Sequence, residues 1–419
     1  MTAAVSGVAG VNAALVHVAA RFASDRHDRQ RRRHLDQADF AALRDAGYGL
    51  SGAPAAEGGL WDSPNASVRP VAQLLHTLAR GDSSVALVSA MHPAVLSYWL
   101  VTPVVAPEHQ AAWDAQRRWV FQSVRDGHWW GTITSEPGSG GDVLRTRATA
   151  RPSDPAPGQE EIPGRHYRLT GEKHFGSGSG IASFMLTTAL PEGELEAGWF
   201  FLDVRENRQT GTSGGTTGDA TGHATGGTTS APATPRGMTL TAPWDGHGMT
   251  ATQSHGMRFA DFPAVRLAAP GSLTTIPARS GAVIGCWFTA VTAGIVSAAL
   301  EAARGALSPR LDSLHPYEQV EWARARTEAW LIEQAFEGML RAVEIAPTPD
   351  DPAARLAVLQ GKTAIAELAE TVLTRLCRII GGGTFARHSP FGFWFEDVRA
   401  LGFLRPPWSL AYDRLIDSP

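Results

Sequence analysis

The sequence predicts an α+β protein in three blocks. These are an N-terminal helical domain over residues 1–128, a central antiparallel β-domain over 129–270 and a C-terminal bundle of four-helix type over 271–419. Three observations predict it. Apolar residues recur at helical spacing at both ends of the chain. Between Trp129 and Pro270 the pattern gives way to short β-branched and aromatic runs broken by Gly, Pro and Asp. After Arg279 the helical period returns in much longer stretches.

In the first block, Asp39 to Gly47 has an acidic start and a glycine stop, the marks of a short capped helix. A Gly/Pro-rich connection, Gly52 to Pro64, separates it from two further helical patterns, Val71 to Leu78 and Val85 to Leu100, the second interrupted by Pro93. In the middle block, residues 131–134, 166–170, 184–188 and 199–204 read as strands. Gln209 to Pro235 is almost entirely Thr, Gly, Ala and Ser, so it lacks the apolar anchors needed to offset ordering entropy and is expected to be a mobile insertion. In the third block, Val291, Ile295, Ala299, Ala302 and Ala306 share one face. So do Ile365, Ala369, Val372, Leu376 and Ile379. Pro316 to Glu344 forms a further helix, with proline at its first position, where the missing N–H costs nothing.

Composition excludes several classes. A net charge of −4 argues against a phosphate-backbone binder. The basic run around Arg29 to Arg33 is expected to be a solvated helix face. Cys286 and Cys377 form no metal-ligand spacing, so neither a metal site nor a disulfide framework is predicted, and a reduced, cytoplasmic setting follows. No charged region precedes the apolar start, and no unbroken span of membrane length is expected. Lys173 and Lys362 are the only lysines, read here as a matter of base composition.

Five motifs stand in order along the chain. They are Thr134-Ser135-Glu136-Pro137-Gly138-Ser139-Gly140-Gly141-Asp142, Leu169 to Gly178, Gly246 to Phe262, Ile379 to Phe385, and Phe395 to Arg399. Leu43 to Gly47 and Glu57 to Gly59 add weaker matches. In this order and spacing they resemble the acyl-CoA dehydrogenase superfamily across most of the chain. The resemblance implies a flavoprotein with FAD, or FMN or reduced flavin as alternatives, assembled as a homotetramer or homodimer. It also implies a small-molecule substrate, for example a CoA thioester, and a redox partner that is either a flavin reductase or an electron-transfer flavoprotein. Neither nucleic acid nor membrane is an expected partner.

The resemblance assigns cofactor contacts to Thr134, Ser135, Gly140, Gly141, Phe175, Ser177, Gly381 and Gly382. Phe175 takes the place of a stacking tryptophan, and Ser177 that of a hydroxyl aimed at the flavin edge. The glycines let backbone approach the ring closely, and Gly381-Gly382 matches a turn offering N–H groups to a pyrophosphate.

Acyl-CoA dehydrogenation needs a carboxylate base. At the two positions where the family places one, this chain has Ile284-Gly285 and the stretch Gly402 to Pro407, which carries arginine. Glu396 and Asp397 match a structural acidic position instead. The alternative reading is a two-component monooxygenase that uses reduced flavin and oxygen, resembled by Ala90-Met91-His92. It makes His92 the candidate catalytic proton donor, ahead of His174 and His388. A third reading is a non-catalytic subunit that keeps the fold.

Overall fold

The computed structural model describes residues 7–206 and 237–418. The predicted insertion 209–235, with His223, lies outside the described residues.

Six helices open the chain: α1 (Gly7–Ser24), α2 (Arg26–Arg29), α3 (Gln37–Asp45), α4 (Pro64–Gly81), α5 (Ser83–Leu100) and α6 (Pro107–Arg125). The short capped helix is α3: Asp36 accepts the Ala38 N–H, and Gly47 ends the segment in the left-handed region at φ 84°. Both neighbours outgrow their predicted spans. Ser63 caps α4 ahead of Pro64, and α5 runs straight through Pro93. A helix normally loses a bond at proline, because the carbonyl four residues back goes unpaired. Here that carbonyl belongs to Ser89, and the Tyr48 hydroxyl donates to it at 2.9 Å.

Most of the basic run is solvated, as expected, with Arg31 and Arg33 exposed, but Arg29 is an exception. Arg29 is buried and paired with Asp39 at 2.6 Å and Asp82 at 2.7 Å, and it lies over the Phe22 ring. A buried arginine is stable only with such partners, and residues distant in sequence supply them.

The middle of the chain forms β1 (Trp130–Thr132), β2 (Thr149–Pro152), β3 (His166–Gly176), β4 (Phe184–Pro191), β5 (Gly198–Asp203), β6 (Met238–Ala242) and β7 (His255–Arg266). Pairings β2–β3, β3–β7, β7–β5, β5–β4 and β4–β2 close a ring, with β1 on β4 and β6 on β7. The sheet is therefore mixed rather than wholly antiparallel, since β4 runs parallel to β1 and β2. Strand alternation divides the side chains. Met185, Leu169, Phe200, Leu202 and Phe259 fill the barrel. Phe184, Leu186, Trp199 and Phe201 turn outward into the core shared with the helices, where Trp99, Trp119 and Trp130 meet them ring against ring.

The third block contains α7 (Thr275–Leu307), α8 (Pro316–Glu344), α9 (Pro352–Ile380), α10 (Pro390–Gly402) and α11 (Trp408–Ile416). Helix α7 is long and apolar enough to cross a membrane by composition alone. In the fold it is a central helix, buried along most of its faces against α4, α5 and α9.

Candidate functional site

The expected cofactor residues of the Thr134 loop and of the Phe175–Ser177 segment come together where the barrel meets the third block. The Thr134 to Asp142 loop follows β1 and joins β3 through a single bridge, in which the His174 N–H donates to the Ser135 carbonyl at 2.7 Å. This sets Ser135 beside Phe175, as the resemblance implies. Below the loop, Glu136 anchors it to the barrel. Its carboxylate accepts from the Lys173 ammonium at 2.5 Å, from the Arg147 N–H at 2.7 Å and from the Thr146 hydroxyl. Burial pushes the Glu136 pKa up, but these hydrogen bonds outweigh it and hold the carboxylate below its usual range. Lys173 is fully buried, and burial lowers it to about 8 against the pull of Glu136.

Phe175 sits at an irregularity in the β3–β7 register, with φ 58°. That region is strained for a bulky side chain. The ring is 59% exposed, edge-on to Trp244 at 6.2 Å. An exposed aromatic in a strained conformation marks a candidate contact surface. Met249, Gln253 and Asp261 also adopt positive φ.

Ser177 is buried at the head of a hydroxyl chain. Its Oγ lies 2.8 Å from Ser254 Oγ, which in turn lies 2.7 Å from Thr252 Oγ1. Glycines let this segment pack closely. A Cβ on Gly178 would come within 2.8 Å of Val88 on α5. A Cβ on Gly141 would approach Pro407 at 3.1 Å, whereas one on Gly140 would meet nothing within 4 Å.

From the opposite side, the link between α10 and α11 reaches the same loop. Arg405 donates to the Thr134 hydroxyl and, at 3.1 Å, to the Ser135 hydroxyl. Lys362 on α9 secures this link by donating to the carbonyls of Leu404 at 2.8 Å and Pro406 at 2.6 Å. Burial lowers its ammonium to about 8. Arg405, Lys362, Gly285, Phe288 and Leu404 line one cleft between α7, α9 and the link. The two positions expected to carry a base thus face one cavity, and among the described residues no carboxylate lines it.

His92 does not reach this cleft. The Trp130 N–H donates to Nδ1 at 3.0 Å, so the Nε2 proton goes to the Gly49 carbonyl at 2.9 Å. The ring is stacked on Trp129 and fully buried, and burial lowers its pKa to about 4. Both nitrogens serve the backbone, which corrects the expected proton-donor role. Helical spacing marks His92 as buried but cannot show that two carbonyl and amide groups claim its ring. Gly381 and Gly382 end α9 with open space around them, and nearby Phe385 is 89% exposed. Within this chain they do not join the other cofactor residues. Asp397 is structural, as expected, accepting from the Ser83 hydroxyl and, at 2.5 Å, from the Met249 N–H.

Arg405, Lys362 and the Glu136–Lys173 pair are the site residues that sequence reasoning did not assign. One signal was present: a chain with 37 basic residues retains lysine at only two positions.

This architecture is the acyl-CoA dehydrogenase-like fold shared by a group of flavin-dependent monooxygenases. FMN-bound TdsC from Paenibacillus sp. A11-2, a dibenzothiophene monooxygenase, matches with TM-score 0.73 and 20% identity over 97% of this chain and 96% of its own. The methanesulfinate monooxygenase MsuC from Pseudomonas fluorescens matches with TM-score 0.72 and 20% identity over 97% and 95%. A nitrososynthase from Micromonospora carbonacea var. africana gives 0.73 and 19% over 97% and 95%. No protein-family model matches the sequence, and no curated protein matches it.

Proposed function

We propose that the protein is a two-component monooxygenase that binds reduced flavin and uses oxygen to oxidise a small organic substrate. The observation that carries this reading is the cleft itself. Both places from which a carboxylate could remove an α-proton face it, and they hold Gly285 and Arg405. An arginine cannot act as a base at neutral pH. The dehydrogenase reading therefore has no base, whereas oxygen chemistry at a flavin needs none there.

The barrel side fits a flavin. An exposed ring at Phe175, the buried Ser177 hydroxyl and the glycine-lined loop after Thr134 offer one flat face, edge donors and close backbone. Bound reduced flavin would supply the activation of oxygen. The protein would hold the ring against Phe175, position its edge through Ser177 and Thr134, and use the apolar cleft wall to limit water. FMN is the favoured form, supported by its presence in TdsC and by the isolation of the Gly381-Gly382 turn. FAD would need that turn to be completed by a second copy of the chain. A homodimer or homotetramer is supported by exposed Val320, Trp330 and Leu331 on α8, together with Phe385. A cytoplasmic location and a separate flavin reductase complete the reading.

The test is oxygen uptake. Purified protein should be nearly colourless and should consume oxygen only when a reductase supplies reduced FMN. A yellow protein bleached by an acyl-CoA would restore the dehydrogenase reading. Failure to bind flavin in either redox state would favour the non-catalytic subunit.

A further inference from the structure

We infer that the cleft takes an organic anion and that Arg405 binds its charged head; this rests on the reading above, in which the cleft is the substrate side of a flavin site. The argument begins with charge balance. Elsewhere in the fold, arginines at packed positions are paired with carboxylates: Arg29 with Asp39 and Asp82, Arg266 with Glu194, and Arg375 with Glu321 and Glu328. Lys362, half-buried, and Arg405, exposed at the mouth, line one cleft. Among the described residues neither has a carboxylate within ion-pairing distance, although Asp142 lies near enough to favour the charge on Arg405. Two cations lining one cleft with no carboxylate between them give it a positive lining, which favours an anion over a neutral ligand.

The two cations are not equivalent. Lys362 spends its donors on backbone carbonyls, so it fixes the link and contributes mainly charge. Arg405 spends one terminal nitrogen on Thr134 and Ser135. Its remaining N–H groups make no hydrogen bond among the described residues. It keeps an exposed flank, so although burial lowers its pKa, the guanidinium stays charged. With Nη2 committed, the Nε–H and the Nη1 hydrogens remain, and they can each give a single charge-assisted hydrogen bond to a carboxylate or sulfinate oxygen.

The rest of the wall sets the body of the ligand. Phe288, Ala366, Leu401 and Leu404 are apolar, which suits a short hydrocarbon or aromatic group. Because Arg405 touches the Thr134 loop, the bound head would lie beside the cofactor wall. The atoms next to the charge, rather than a distant chain end, would then face the reacting ring.

Calorimetric titration of the full chain with benzoate and benzenesulfinate, against neutral benzamide, tests this. Both anions should bind saturably, at least tenfold tighter than benzamide. Arg405→Gln should weaken the anions at least tenfold and leave benzamide unchanged, and Arg405→Lys should recover part of the loss. Titrations with reduced FMN and riboflavin run in parallel, and Arg405→Gln should change both by the same small factor, through the released Thr134 hydroxyl. Equal affinity for benzamide would overturn the proposal, as would unchanged anion binding in the glutamine variant. Loss of FMN but not riboflavin binding would overturn it differently, by assigning Arg405 to the cofactor phosphate. Anion binding without any flavin binding would sink the monooxygenase reading and leave Arg405 as an anion receptor.

Discussion

The two sides that meet at Arg405 are built on opposite plans. The barrel wall is backbone-rich and hydroxylated, and it is strained at Phe175, which sits at positive φ. From Thr134 to Ser177 it carries the motifs that resemble those of acyl-CoA dehydrogenases. The wall facing it is helical, apolar and cationic, and it departs from that pattern at both carboxylate positions. A cofactor surface is shaped by geometry that few residue types can adopt, so it tolerates little change. A chemistry-setting surface can be rewritten by single side chains on the same helices, which is how one fold hosts different reactions.

The most severe way to break this comparison is to collapse the barrel wall. Lys173→Met leaves the Glu136 carboxylate buried without its cation. Removing one partner of a buried pair costs about 3–5 kcal/mol, because the remaining charge is uncompensated. Urea unfolding should show a loss of that size, and flavin affinity should fall with it as the Thr134 loop loosens. A loss below about 1 kcal/mol would mean that the pair does not hold the loop.

The walls should also answer pH with opposite signs. Behind the barrel wall, His92 is lowered from 6.5 to about 4 in the fold. The unfolded chain binds more protons between those values, so this contribution is present above pH 6.5 and is lost as pH falls. Behind the helical wall, Asp397 is raised from 3.8 to about 6 by burial. The folded chain binds more protons in that window, so its contribution fades as pH rises. Each shift is worth at most about 3 kcal/mol at 1.36 kcal/mol per unit. The two nearly cancel, and His76, also lowered to about 4 by burial, tips the balance towards acid lability. Melting temperatures between pH 7 and 4 should fall, more steeply in Asp397→Asn and less steeply in His92→Gln. Parallel profiles in all three proteins would refute the assignment.

Much of this was legible in the sequence, for reasons that differ by residue. Pro316 to Glu344 is helical over the span its proline start and period announce. The adjacency of Thr134 and Phe175 was legible because both belong to motifs with fixed spacing. The emptiness of both base positions was legible as well. What stayed hidden depends on convergence. The Ser89 carbonyl freed by Pro93 is satisfied by Tyr48, 41 residues away, so helix α5 continues where its proline suggests a break. Arg29 reads as surface charge until Asp39 and Asp82 fold onto it. Lys362 stands out in sequence only as one of two lysines, and becomes the clamp on the Arg405 link once α9 lies beside it. No periodicity carries such information, since each case joins residues from separate elements.

The finest test separates stability from function at one residue. Phe175 holds a left-handed backbone conformation, which costs an L-residue about 1–2 kcal/mol, while its ring is 59% exposed and contributes little burial. Phe175→Gly removes that strain, although the more flexible unfolded chain takes back about 0.5–1 kcal/mol. The variant should therefore be as stable as the wild type or more stable by up to about 1 kcal/mol, while reduced-flavin affinity falls several-fold, in keeping with about 1 kcal/mol for a lost aromatic stack. Phe175→Tyr should keep both properties. Thermal melts and flavin titrations on the three proteins decide it. If the glycine variant is less stable by more than 1 kcal/mol, the ring is packing rather than waiting for a partner, and the barrel wall is not a stacking surface.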